Sequence, residues 1–282
     1  MMKVKFWGTR GSIPVPGRNT IQFGGNTTCL ELTLESGRMI VIDAGTGIRR
    51  LGDKLLAGAK KLDFHILITH IHWDHVMGFP FFMPIYDPGN KITIHGYPSC
   101  MKGLRLPFDN KMGDGFFPVR FDNLKAKISH DNRLQHGPLT LDGVKIDRCP
   151  LQHPQGGFGY RFTEGKKTLT FITDNELTTE SWANRHPEHY EAFCRGSDVL
   201  IHDAQYTPEE RNERRGWGHS DYEATLDLAI KAGVGRLILF HHAPSRKDRE
   251  VEVIRKRCEA IAEERKADLI VEAAREDAEF FL

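Results

Sequence analysis

Residues 67–78 read LITHIHWDHVMG. The stretch opens on an apolar run and then packs His70, His72, Asp74 and His75 into six positions. Polar and charged groups crowded against a buried strand are costly to leave unpaired. They read either as a polar loop beside a strand or as half of a metal site. In the second case the other half lies elsewhere in the chain, and the ends of the other apolar runs are the places to look.

Those ends carry the same residue types. FHILITH reaches His70, CPLQH reaches His153, TLTFITD reaches Asp174, RLILFHH reaches His241 and His242, and RMIVID reaches Asp43. Strands that stop on such residues can share one rim of a sheet, which brings distant positions together. A single strand-end histidine is more often structural, but the whole set beside the dense cluster favours metal. Imidazole and carboxylate without thiolate suit zinc, with manganese and iron also compatible. His70 and His72, two apart, can face one ion from a bent segment, while Asp74 and His75 can face a second. Two divalent ions roughly 3.5–4 Å apart need a shared anionic ligand, and Asp174 is the expected bridge. His136 ends an earlier Leu-Gln-His, but the Pro and glycines after His153 fit a site loop better. His241 and His242 are neighbours at a strand end and point oppositely, so one is the ligand and the other is left for substrate.

The rest of the chain is that of an ordinary folded protein. Hydrophobic residues make up 39% and charged residues 27%, with a formal net charge of +1. No overall field draws nucleic acid or membrane, so polyanion binding needs a local patch. The five cysteines are scattered without a CxxC pair, which argues against a disulfide framework or thiolate zinc knot. The opening MMKVKFWGTRGS lacks an apolar core of signal-peptide length, and no run approaches ~20 apolar residues. A cytoplasmic protein without membrane contact is expected.

The grammar of elements repeats. Short strands (KVKFWG, CLELTLES, RMIVIDAG) precede a helix in TGIRRLGDKLLAGAKK, and FHILITH and KITIHGYP follow as strands. Residues 98–135 have poor periodicity and read as an irregular excursion. The second half brings two hairpins with Asp-Gly and Glu-Gly turns, then SDVLIHDAQY, the helix DYEATLDLAIKAG, RLILFHH, a helix marked by Val251, Ile254, Cys258 and Ile261, and DLIVEAA. Strands then a helix, twice over, suggest two sheets packed face to face with helices outside, in one domain over 1–282.

HIHWDHVMG fits His-x-His-x-Asp-His-x-x-Gly, and on it the chain resembles the metallo-β-lactamase superfamily. Asp43 in IDAGTG, His153 in QHPQGG, Asp174 in ITDN and His241 in LFHH follow in the order the family has them. The resemblance implies an α/β fold, a four-layer αββα sandwich. It implies one metal on His70, His72 and His153, a second on Asp74, His75 and His241, and Asp174 bridging them. Asp43 would orient the cluster. FWGTRGSIPVPGRNT, GGNTTC and GHSDYEA further resemble the ribonuclease Z and phosphodiesterase branch, in which the histidine of Gly-His-Ser assists catalysis. That places His219 in catalysis beside Asp74. Ser220 and Glu223 have the spacing of a capping box, which would set His219 before a helix N-terminus, where phosphate is favoured. The dipole there disfavours a charged imidazole, so a general acid needs a carboxylate to hold its proton.

One departure narrows the substrate. Ribonuclease Z carries a long tRNA-gripping arm between the positions of His153 and Asp174, and here the stretch suffices only for a hairpin. The reading therefore turns from tRNA to a small-molecule phosphodiester such as a cyclic nucleotide, with Phe116 and its neighbours in the excursion as candidates to stack on it. The alternatives are hydrolysis of a carbonyl substrate (β-lactam, lactone or thioester) and a non-hydrolytic di-iron module. Family members of the last kind usually replace the second cluster histidine by Glu, and His72 argues against it. A homodimer is compatible with the sequence.

Overall fold

The computed structural model describes residues 1–58, 61–96, 117–178 and 186–282. The first sheet contains β1 (Lys3–Gly8), β2 (Cys29–Thr33), β3 (Met39–Ile42), β4 (Asp63–Ile68), β5 (Lys91–Gly96), β6 (Lys127–His130) and β14 (Glu279–Phe281). The second contains β7 (Leu139–Leu141), β8 (Val144–Pro150), β9 (Phe158–Glu164), β10 (Lys167–Ile172), β11 (Val199–Asp203), β12 (Arg236–Phe240) and β13 (Ile270–Ala273). The strand orders are β14-β1-β2-β3-β4-β5-β6 and β13-β12-β11-β10-β9-β8-β7. Read from β14 and from β7, each sheet pairs antiparallel across its first four strands and parallel across its last four. The repeated grammar of the sequence is thus a repeated sheet.

Alternation fills three apolar layers. Phe6, Leu30, Ile42 and Leu67 of the first sheet meet Phe162, Phe171, Ile201 and Phe240 of the second in the central core. Val41, Phe64, Ile66 and Ile92 face the opposite way, onto the helix Gly47–Ala57 with Ile48 and Leu51. Leu200, Leu237 and Leu239 likewise face the helices Tyr222–Lys231 and Asp248–Glu264. Helix, sheet, sheet, helix is the four-layer αββα sandwich. No described helix is long and apolar enough to cross a membrane.

Turn chemistry holds where it was read: Asp142 and Gly143 have φ of 46° and 84°, the left-handed pair a tight hairpin wants. Two strands and the helices Pro187–Cys194 and Pro208–Glu213 escaped the sequence reading. β6 lies inside the stretch taken as irregular, paired in parallel with β5, and its KISH offers only four residues of pattern. β14, from the final residues, pairs with β1.

Candidate metal centre

The parallel strands of both sheets deliver their carboxyl ends to one rim. Asp43 follows β3, Thr69 and His70 follow β4, Asp174 comes two residues after β10, and His241 follows β12. Asp43, Asp174 and His241 have φ of 61°, 52° and 59°, in the left-handed region that side chains with a Cβ usually avoid. Ser12 and Gln155 at the same site have φ of 65° and 63°. Such backbone persists where surroundings over-determine it, and it turns each side chain across the strand ends.

His70, His72 and His153 form one group, and Asp74, His75, Asp174 and His241 another, each with one ligand atom per residue lying within 4.8 Å of the rest. The two oxygens of Asp174 divide between them. Oδ2 lies 3.6 Å from His70 Nε2 and 3.8 Å from His153 Nε2, whereas Oδ1 lies 3.2 Å from His75 Nε2 and 3.1 Å from His241 Nε2. Asp74 Oδ2 reaches His75 and His241 at 3.3 and 3.1 Å and accepts the Ser12 backbone N–H at 2.7 Å.

Each of the five histidines spends its far nitrogen on an acceptor. His75 Nδ1 donates to Asp43 at 2.8 Å, His153 Nδ1 to the Gly218 carbonyl at 2.9 Å and His241 Nδ1 to Gln205 at 2.9 Å. His72 Nε2 donates to Gln155 at 2.5 Å, and His70 Nδ1 to Thr69 Oγ1 at 3.1 Å, whose own proton goes to Asp43. These bonds fix each tautomer and turn the other nitrogen, with its lone pair, inward. His72 Nδ1 then stands 2.9 Å from His153 Nε2, lone pair against lone pair. Among the described residues, the buried Nε2 of His70 and of His75 finds no hydrogen-bond partner. Orphaned buried nitrogens around shared carboxylates are a donor set that fits two divalent cations.

The electrostatics agree with a set built around charge. Burial depresses His75, yet Asp174, Asp74 and Asp43 outweigh it and hold the imidazole well above its usual value. Burial, then the neighbouring His75, pushes His70 well below. Burial alone would raise Asp174; His241, His75 and His70 hold it well below the carboxylate range.

His219 lies beside this cluster, stacked on His241 with ring centroids 5.1 Å apart. Its Nδ1 donates to Asp203 Oδ2 at 2.9 Å and is 4.0 Å from Asp174 Oδ2. Burial lowers its pKa, but Asp203, with Asp174 and Asp74, overcomes that and pushes it up to about 9. The carboxylate that a protonated His219 needs is therefore Asp203. An open cavity of about 270 Å³, lined by Ser12, His72, Trp73, Asp74, Asp174 and His219, gives onto the cluster.

Residues 38–242 match the family described as Beta-lactamase superfamily domain. The chain belongs to the metallo-β-lactamase superfamily. Among curated relatives of this superfamily chain, ribonuclease Z of Bradyrhizobium sp. (strain ORS 278) is 23% identical over 299 residues, covering 89% of this chain and 93% of its own. Among solved structures, the metallo-β-lactamase fold protein YhfI from Bacillus subtilis superposes with a TM-score of 0.73 at 16% identity, over 99% of this chain and 98% of that one. A diphosphatase from the PhnP family superposes with a TM-score of 0.68 at 16% identity, over 100% and 98%. Family and two-lobed cluster together support a metal-dependent hydrolase.

Two expectations for this metallo-β-lactamase site need correction. His242 does not reach the cavity: it turns to the other side of its strand, where Nε2 donates to the Ala274 carbonyl at 2.8 Å and Phe23 packs edge-on. Burial pushes it down to about 3, so it stays neutral. Ser220 is not a helix cap. The helix Tyr222–Lys231 is capped by Asp221, which accepts from the Ala224 N–H at 2.9 Å. The Ser220 hydroxyl instead donates to the Asn175 carbonyl at 2.6 Å and accepts the Leu177 N–H at 3.0 Å, holding the loop after Asp174. His202 faces Thr225 of that helix, and its neighbour Asp203 is the one that turns inward. Phe116 lies outside the described residues, and Phe117 packs edge-on against Phe81.

The sequence reading also missed Ser12, Thr69, Gln155 and Gln205. Gly11 is the one visible trace of Gln205: a Cβ there would lie 2.5 Å from both the Gln205 amide and the His241 ring.

Proposed function

We propose that this chain is a binuclear metal-dependent phosphodiesterase acting on a small phosphodiester, with zinc the favoured metal. His70, His72 and His153 hold one ion in this reading, Asp74, His75 and His241 the other, and Asp174 bridges them. The observation that carries it is the division of the Asp174 oxygens between the two nitrogen groups, with the His219–Asp203 pair at its open side. Two divalent cations so held supply Lewis-acid polarisation of the phosphoryl group and activation of water. Asp43, Thr69, Gly218, Gln205 and Gln155 keep the ligand nitrogens aimed, so the cluster is organised before substrate arrives. With Nδ1 of His219 committed to Asp203, the proton available to a departing oxygen is the one on Nε2.

Two features support phosphorus over carbonyl carbon. An imidazole whose Nδ1 is committed to Asp203 beside the cluster suits an anionic ester and a poor oxygen leaving group. The relatives named ribonuclease Z and diphosphatase both cleave at phosphorus by their names. The residues between His153 and Asp174 form the β9–β10 hairpin with no further insertion, which supports a small substrate over tRNA.

Purified chain should contain about two divalent ions and hydrolyse bis(p-nitrophenyl) phosphate faster than nitrocefin or a lactone. Asp174→Ala should lose more metal than any single histidine variant, because both ions share that carboxylate. A clear preference for nitrocefin or a thioester over every phosphodiester would overturn the class, and full metal content in Asp174→Ala would remove the bridge.

A further inference from the structure

Three tryptophans fall among the described residues, and they are disposed in two ways. Trp7 is 4% exposed, and its indole N–H donates to Glu31 at 2.9 Å. Trp73 and Trp217 are 65% and 61% exposed. A lone exposed aromatic says little. Both belong to segments that carry residues of the site. Trp73 stands between His72 and Asp74 and lines the cavity. Trp217 stands two residues before His219.

The turn that carries Trp217 is built rather than loose. Gly216 and Gly218 on either side have φ of 79° and 84°. Glu176, only 2% exposed, accepts the N–H of Gly216 at 3.0 and 2.9 Å and that of Gly218 at 2.9 Å. A buried carboxylate thus clamps the backbone on both sides of one exposed indole. The turn is also tied to the ligands. The Gly218 carbonyl accepts from His153, and a Cβ at Gly218 would lie 2.1 Å from His153 Nδ1. Arg214 in the same turn lies over Tyr206 at 5.3 Å, and Tyr206 meets His219 edge-on at 5.6 Å.

We propose that Trp217 and Trp73 wall the mouth of the cavity as a stacking subsite, so that the phosphodiester taken there carries a planar ring, a nucleobase or aryl group, next to the phosphate. Glu176 is a positioning residue for Trp217. The subsite rests on the phosphodiesterase reading for its phosphate and stands on separate observations for its ring. An indole face stacks on any flat ring with little dependence on its edge, so the subsite selects ring against no ring and discriminates weakly among bases.

The test compares AMP with ribose 5-phosphate on the metal-loaded chain, by calorimetry and by tryptophan fluorescence, without turnover. The two probes share sugar and phosphate and differ by the base. AMP should bind about tenfold or more tightly than ribose 5-phosphate and should quench fluorescence. Trp217→Ala and Trp73→Ala should each bring AMP towards the ribose 5-phosphate affinity, leave ribose 5-phosphate unchanged and keep the metal content. Glu176→Ala should weaken AMP more than ribose 5-phosphate at a metal content checked in parallel, because Glu176 also holds the Gly218 that His153 donates to, and Glu176→Gln, which keeps an acceptor, should recover part of the loss. Equal affinity for the two probes, no measurable binding of either, or equal losses of both in the Trp variants would overturn the subsite. A chain that hydrolyses bis(p-nitrophenyl) phosphate yet treats the probes alike loses the subsite and keeps the activity; selective AMP binding without hydrolysis of any diester does the reverse.

Discussion

Asp203 holds both oxygens in fixed hydrogen bonds: Oδ2 accepts from His219 Nδ1 at 2.9 Å, and Oδ1 from the Gln205 N–H at 2.9 Å. It cannot swing away to let His219 turn over. Its charge raises the imidazole pKa, and its hydrogen bond commits Nδ1, leaving Nε2 as the uncommitted nitrogen. His219→Ala should therefore retain both metals and lose rate by about 10²–10⁴ on alkyl phosphodiesters, whose leaving oxygen needs a proton. The loss should be much smaller with p-nitrophenyl leaving groups, and parallel kinetics on the two substrate types with metal analysis check it. Asp203→Asn removes the largest influence raising the His219 pKa. The alkaline fall in rate on alkyl substrates should then move to lower pH, since the acid deprotonates earlier; an unmoved limb would assign that titration to another group.

Two helices start on a short polar side chain that caps them, Thr207 and Asp221. Asp221 caps the helix Tyr222–Lys231, and Asp221→Ala should cost about 1 kcal/mol of stability, read as a lower urea midpoint at unchanged slope. Its contact with Arg211 at 2.7 Å ties the same carboxylate to the helix Pro208–Glu213, so Arg211→Ala should share part of that loss. The elements that sequence made legible are those with long or sharply punctuated patterns: the Asp248–Glu264 helix, the Asp142–Gly143 turn and the apolar strands ending on His or Asp. Those strand ends carried most of the cluster, because ligand chemistry and strand termination coincide at single positions. The strands and long-range contacts that stayed hidden have no local pattern. β6 and β14 are short edge strands specified by their neighbours. Gln155, Gln205 and Glu176 act across 83, 36 and 40 residues of chain, through hydrogen bonds that leave no periodicity. Asp203 was within reach: the alternation that separates His241 from His242 also separates His202 from Asp203.

The sandwich as a whole carries a polar seam at the β5–β6 side of its first sheet. His65 and His95 share a 2.8 Å hydrogen bond, and Asp131 lies 3.9 Å from the unpartnered Nδ1 of His95. Burial, reinforced by His65 and opposed by Asp131, pushes His95 down to about 4. A histidine neutral in the fold and basic when unfolded takes up a proton on unfolding. Stability contributed this way is complete above pH ~6.5, the unfolded value, and is lost as pH falls towards about 4. Denaturation of the chain between those limits should show a slope that His95→Gln reduces by up to about 1.4 kcal/mol per pH unit, the equivalent of one proton. An unchanged slope would place the proton uptake on other groups.

Each lobe of the cluster draws on both sheets. His70 and His72 leave the first sheet and meet His153 from the second; Asp74 and His75 leave the first and meet His241 and Asp174 from the second. An ion seated in either lobe would be a rivet through the sandwich. Ligand geometry tolerates displacements of only about 0.5 Å, far less than an apolar interface does. Heat, pressure or a cavity cut anywhere between the sheets would then be registered first at the rim, as faster metal release, before any strand separates. The loaded site would then double as the molecule's own strain gauge.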